Sequence, residues 1–357
     1  MRNISKNSLG RIITLLVRVG LTCLFIYLFP VNNFDVVCTF LVLSSTISSI
    51  FGFIYSYTLY KINTKNVIYD NLSNSGYLKR ILRIAIPVAI TSIIRSALST
   101  LKQILIPMRL NKFTKSMDLA LSQYGLINGM TFPILLFPSV FINSFAGLLI
   151  PEFSSFKISN NYKSMNKVIY FIFKISSIFS ICIIGIFLTF TEEICNIFYH
   201  NLSIVEFVVL LCPIIIFMYL DTIVDSMLKG LDRQVEVMYC NIADLFITIS
   251  LIYVLIPVYG IYGYIIILYI SEIFNFFVSV YQLYKETHFN FDYIFCVLIP
   301  LILILFIKFI FDTFDTYLTS KIGIVSAKIF TFIVLYFSLI SILNFVRFVA
   351  NYRRKRK

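Results

Sequence analysis

The chain has 357 residues, 59% of them hydrophobic and 13% charged, with a formal net charge of +13 and a mean hydropathy of +0.91. A soluble core of this length does not need so much apolar surface, and apolar runs of about 18 residues or more recur from end to end, so a soluble globular fold is excluded. The runs lack the alternation of a membrane β-barrel strand, and the cations cluster at run ends, which reads as membrane topology rather than nucleic-acid binding.

The pattern predicts an all-α polytopic membrane protein with about ten transmembrane helices, near 12–30, 35–60, 82–108, 123–150, 166–190, 204–228, 236–257, 262–284, 292–312 and 324–348. The first run follows Arg2, Lys6 and Arg11 and ends at Phe29-Pro30 without a small-residue cleavage site, so it reads as a retained span. The longest loops are expected near 61–80, 110–121 and 151–165. Lys61, Lys65, Lys79 and Arg80, then Lys157 and Lys163, then Lys229 and Arg233, then Lys285 fall on one side. The opposite loops, VNNFD, TEEICNIFYHN and VYG, carry neither Lys nor Arg, and Lys112, Lys115 and Lys321 depart from the pattern. The positive-inside rule therefore places both termini in the cytosol. The tail Arg353-Arg354-Lys355-Arg356-Lys357 reads as a stop at that face, with contact to anionic lipid as the alternative. Richness in Ile, Phe, Tyr, Asn and Lys without Trp points to an AT-rich bacterial genome and hence a bacterial plasma membrane.

The third span contains SIIRSALSTLKQILIPMR (92–109). Arg95, Lys102 and Arg109 recur every seven residues, a drift of only about 20° per step on a helix, so they share a stripe with Thr91, Ser92 and Ser99. At 1.5 Å per residue Arg95 lies roughly 20 Å from the start of the span at Leu82. Lys102 can snorkel outward and Arg109 sits at the rim. A cation held inside a bilayer costs about 2.5–3.5 kcal/mol on insertion scales, so Arg95 requires a wet cavity or an acidic partner. One reading is a static ion pair between helices. The other is a path for an anionic substrate, because the guanidinium fork matches phosphate oxygens. The substrate-path candidates are Arg95, Ser99, Lys102, Gln103 and Arg109. Candidates for ion coupling or pairing are Glu272, which shares the eighth span with Asn275, Asp221 and Asp225, which are i,i+4 neighbours continued by Lys229, and Asp244.

No GxxxxGK[ST], GxSxG or HExxH is present. The seven cysteines lack metal spacing, and most sit in apolar runs where a thiol packs as a small hydrophobe. His200 and His288 are far apart. No cofactor, metal site or enzymatic activity is expected.

Two stretches resemble each other. Residues 1–61 and 231–285 each pair an outward span, a turn near proline and a return span ending in Tyr-Lys. Such repeats are common in transporters, with the substrate path between them. IAIPVAITSIIRSALSTLKQILIPMR (84–109) is similar to the seventh helix of the polysaccharide-transporter branch of the multidrug/oligosaccharidyl-lipid/polysaccharide exporter superfamily. YGLINGMTFPILLFPSVFINSFAGLLIPEFS (124–154), with Gly125, Gly129, Pro133, Pro138, Asn143, Pro151 and Glu152, resembles the eighth helix of the stage V sporulation protein B-like members. KGLDRQ (229–234) is similar to the turn before their eleventh helix. The resemblance implies a MATE-like two-lobe transporter of about fourteen helices, lacking the first four here. On that implied plan 1–61 is a two-helix remnant of the N-terminal lobe and 79–285 a six-helix C-terminal lobe. Residues 292–348 are two additional helices and 349–357 the basic cytosolic tail. The implied activity is alternating-access flipping of an undecaprenyl-linked anionic oligosaccharide or peptidoglycan precursor for the cell envelope. The missing helices imply a separate polypeptide supplying them, or a fragment without activity. The alternatives are a multidrug or cation antiporter with a cavity dominated by acids, and a membrane-embedded glycosyltransferase, for which no loop is long enough to carry paired carboxylates.

Overall fold

A computed structural model of the chain describes residues 4–28, 34–64, 77–289, 292, 294–314 and 322–355. The described residues are helical with no strand, and nine segments are long and apolar enough to cross a membrane, which suggests a membrane protein. Two compact units, Met1–Lys79 and Arg80–Lys357, divide the chain.

The first unit is a hairpin of α1 (Ile4–Leu28) and α2 (Phe34–Thr64). The turn carrying Pro30 lies outside the described residues. The arms run antiparallel: Thr22 and Ser44 share a hydroxyl hydrogen bond at 2.8 Å, Arg18 Nε donates to Ser48 Oγ at 3.4 Å, and Phe25 stacks on Phe40. Gly10 lies against the Tyr55 ring and Gly52 against the Thr14 side chain, so small residues let the backbones approach.

The second unit holds α3 (Tyr77–Thr114) from Arg80 onward, followed by α4 (Met117–Gly125), a π-helical turn Leu126–Thr131, α5 (Phe132–Leu136) and α6 (Ser139–Ile158). The long loop expected at 110–121 is only Lys115-Ser116. Lys115 adopts a left-handed φ of 57° to end α3, and the Ser116 side chain caps α4 by accepting from Leu119 N. The segments from Met117 to Ile158 lie end to end. Phe137 (φ −53°, ψ −46°) and Pro138 (φ −68°, ψ −17°) stay in the helical region, so Pro138 bends one element rather than opening a loop. The single span expected at 123–150 is thus longer at both ends. It holds two stretches each long and apolar enough to cross a membrane, Met117–Leu136 and Ser139–Ile158. The loop expected at 151–165 shrinks to a turn in which Asn160 takes a φ of 51°.

Next come α7 (Tyr162–Thr189), the short α8 (Thr191–Tyr199), α9 (Val205–Leu211) and α10 (Ile215–Gly230). Pro213 interrupts the path from α9 to α10 with a 3₁₀ turn, Cys212–Ile214. The two spans expected at 236–257 and 262–284 are the arms of α11 (Gln234–Thr287), which reverses at Gly260. Contacts across the arms fall in antiparallel register. Ser271 Oγ donates to Asp244 Oδ1 at 2.7 Å, Gln282 Nε2 to Cys240 Sγ at 2.9 Å, and Arg233 to Glu286 at 2.5 Å. Arg233 also binds Glu236, and the two carboxylates hold its guanidinium above its ordinary value. Gly260 needs φ 58°, ψ −133°, which side chains reject, and a Cβ there would meet the Phe113 ring at 2.6 Å. Gly260→Ala is expected to cost about 1–3 kcal/mol in conformation alone, before the clash, read as a fall in the unfolding midpoint in detergent.

A π-helical turn Ile294–Leu298 leads into α12 (Ile299–Phe314), and α13 (Ile322–Lys355) ends the described chain. Both pack on α7. Gly185 faces Ile304 and Phe332, Phe190 meets Phe311 and Phe332 edge-on, and the Tyr336 hydroxyl donates to the Ile178 carbonyl at 3.0 Å. His200 and His288 both occupy left-handed caps, ending α8 and α11.

Candidate functional site

Helix α3 runs parallel to the first arm of α11. Thr91 reaches Met238, the Arg109 guanidinium lies 3.8 Å over the Tyr253 ring, and Phe113 meets Gly260. Helices α6 and α10 also run parallel, touching where Gly230 presses on Ile150 and Phe153. Lys157 Nζ secures that end by donating to the Leu231 carbonyl at 2.7 Å.

Between these elements lies a cavity of about 550 Å³, the size of a small-molecule pocket. Arg95 enters from α3, and Ser139, Asn143 and Gly147 from one face of α6. Asp221, Thr222, Asp225, Ser226 and Lys229 enter from α10, and Asn241, Glu272 and Asn275 from the two arms of α11. On α10 the spacing Met218, Thr222, Asp225, Lys229 repeats every three or four residues, turning one polar stripe inward while Ile223, Val224 and Met227 fill the core behind it.

The break at Pro138 shapes the roof. Pro138 has no N–H to give the Ile134 carbonyl, which accepts from Phe137 N at 3.3 Å, and the next carbonyl, Leu135, accepts from the buried Tyr219 hydroxyl at 3.0 Å. Tyr219→Phe leaves that carbonyl unsatisfied and is expected to cost about 1–3 kcal/mol, measurable by thermal unfolding, with the cavity's charges untouched. The π-helical turn below has its own remedy, since Thr131 Oγ1 donates to the Leu126 carbonyl at 2.9 Å.

Among the described residues Arg95 makes no ion pair. Asp225 pairs instead with Lys229 at 3.6 Å along its own helix, and Arg95 acts on it only through longer-range attraction. The static interhelical ion pair weighed for Arg95 is therefore not what the structure places there. One Asp221 oxygen is buried without a hydrogen-bond partner. Lys102 is half-buried outside the lining and exerts its charge on Glu272.

The candidates thus separate. Arg95, Asp221, Asp225 and Glu272 share one cavity; Ser99, Lys102, Gln103 and Arg109 are not in its lining. The column of three cations does not act as one wall: Arg109 is held over Tyr253, an aromatic anchor for a cation near the rim. Asp244 is buried one layer behind, bound to Ser271. Sequence reasoning passed over Ser139, Thr222, Ser226 and Asn241. Their signal was present, as polar side chains inside apolar runs, three of them (Thr222, Ser226 and Asn241) three residues before a charged one. The lining holds three carboxylates against two cations, so it is of mixed sign rather than basic. No group of three or more metal-binding side chains occurs among the described residues.

No family model, no curated protein and no solved structure matches the chain.

Proposed function

We propose that the chain is a membrane transporter whose cavity between α3, α6, α10 and α11 receives the polar headgroup of a lipid-linked, phosphate-bearing saccharide and flips it across a bacterial plasma membrane by alternating access. On this reading both termini are cytosolic and no hydrolytic chemistry is involved. The observation that carries it is Arg95, without an ion-pair partner among the described residues, opening on a cavity walled by amides, hydroxyls and carboxylates. An unengaged guanidinium suits a diphosphate, and Asn143, Asn241 and Asn275 suit sugar hydroxyls. The resemblance of 84–154 to polysaccharide exporters points the same way. In liposomes containing the purified chain, a fluorescent polyprenyl-diphosphate disaccharide should reach the outer leaflet, where an added quencher reads it, faster than in protein-free vesicles. A rate equal to protein-free vesicles would reject the reading.

One observation favours a second reading, a cation antiporter of the same superfamily: carboxylates outnumber cations in the lining. Proton- or sodium-driven efflux of a cationic dye, without movement of the saccharide lipid, would select it.

A further inference from the structure

Helices α7 and α13 carry no acidic residue along their 28 and 34 residues. Two contacts fix them antiparallel: the Tyr336 hydroxyl on the Ile178 carbonyl, and Lys174 Nζ donating to Asn344 Oδ1 at 2.7 Å. On α7 the spacing of Lys163, Lys167, Tyr170 and Lys174 keeps all four within about 60° of one stripe. Lys163 and Lys167 are exposed and have no hydrogen-bond or ion-pair partner among the described residues. Beyond Asn344 the sequence of α13 continues with Arg347 and, at its end, Arg353, Arg354 and Lys355. On the neighbouring α11, Thr287, whose carbonyl accepts from Asn166 on α7, is preceded by Glu286. Glu286 is engaged by Arg233.

The α7 stripe forms a basic track that starts at exposed Lys163 and runs into an apolar helix, where Phe171 and Ile175 are exposed beside Lys174. A soluble anion has nothing to gain from that inner end. A lipid does, since its phosphate meets the ammonium groups while its chains lie along Phe171 and Ile175. We propose that this face of α7, which meets α13 at Lys174, binds the headgroup of an anionic membrane phospholipid, a site separate from the central cavity and independent of what that cavity carries. Basic surfaces between helices at a membrane face recognise such headgroups, each Lys or Arg contributing about 1 kcal/mol.

The test is thermal unfolding of the detergent-purified full chain titrated with phosphatidylglycerol, phosphatidylcholine or inorganic phosphate. Phosphatidylglycerol alone should raise the midpoint. In the Lys163→Gln/Lys167→Gln double variant the lipid concentration giving half that rise should increase by about 10- to 30-fold. Both lysines are exposed and unpartnered, so the variant should fold with an unchanged midpoint in detergent alone. Lys112→Gln, which removes an exposed cation from the far end of α3, should leave the titration unchanged. Equal stabilisation by phosphatidylcholine, an equal effect of inorganic phosphate, or a full phosphatidylglycerol response in the double variant would each overturn the proposal.

Discussion

Arg95→Ala is expected to lower the flipping rate of a diphosphate-linked saccharide by about 10- to 100-fold while leaving the unfolding midpoint unchanged. The two halves of this expectation have one cause. Arg95 has no ion-pair partner among the described residues, so its removal strands no carboxylate and relieves the cost of a cation within the helix bundle. Asp225 keeps Lys229 at 3.6 Å in either case. On the proposed function, what disappears is a charge-assisted hydrogen bond to substrate phosphate, worth about 1.5–3 kcal/mol, which sets the fold-change. Arg95→Lys keeps the charge but loses the two-pronged geometry and should recover only part of the rate. A drop in the midpoint without loss of transport would show that Arg95 holds helices together.

That expectation was half legible from the amino-acid order. A cation or carboxylate deep in an apolar run is rare enough to stand out, so Arg95, Asp221, Asp225 and Glu272 could be singled out before any geometry was known. Their convergence could not be. Arg95 and Glu272 are 177 positions apart, and only the parallel packing of α3 on α11 and the reversal at Gly260 bring them to one cavity. The same limit explains Arg109. Helical periodicity put it on the stripe of Arg95, but periodicity describes one helix and is silent about Tyr253 on another. Local turns were misjudged for a different reason. The stretch 110–121 reads as a long loop, yet a left-handed lysine and a serine cap reverse the chain in two residues. Lysine seldom takes that conformation, so nothing in its identity announces it.

The mixed charge of the cavity follows from how α10 is built. Asp221 and Asp225 lie one turn apart, and at full ionisation they would repel. Lys229 one turn further on satisfies Asp225, but one Asp221 oxygen stays buried and unpartnered. Arg95 and Lys102 sit opposite, close enough to act on Asp225 and Glu272 by charge yet without closing a bridge. A site so arranged has cations and anions that a substrate or a coupling ion can rearrange, because few of them are already committed to each other.

Two glycines on the helices that wall this site should respond in opposite ways. Gly230→Val is expected to destabilise the fold at or beyond the upper end of the ~1–3 kcal/mol typical of overpacking. A Cβ at Gly230 would lie 2.7 Å from the Ile150 carbonyl oxygen and 2.7 Å from Phe153 Cβ, with the Ile150 Cα at 3.2 Å. Two of those three atoms are backbone and Phe153 is fully buried, so no side chain can swing aside and α6 must move off α10. The loss should appear as a lower unfolding midpoint and a smaller monodisperse fraction on size exclusion. Gly147 lies on the same helix as Ile150, one turn earlier, but a Cβ there meets nothing within 4 Å and points to the cavity. Gly147→Ala should therefore keep or slightly raise the midpoint, because alanine is the better helix former by roughly 1 kcal/mol. Gly147→Phe should also fold, while filling the cavity that Arg95 opens on, and so should abolish transport. Stable, transport-competent Gly147→Phe would move the substrate path away from this cavity. A well-folded Gly230→Val would mean that the α6–α10 contact is not the wall that holds the cavity in shape.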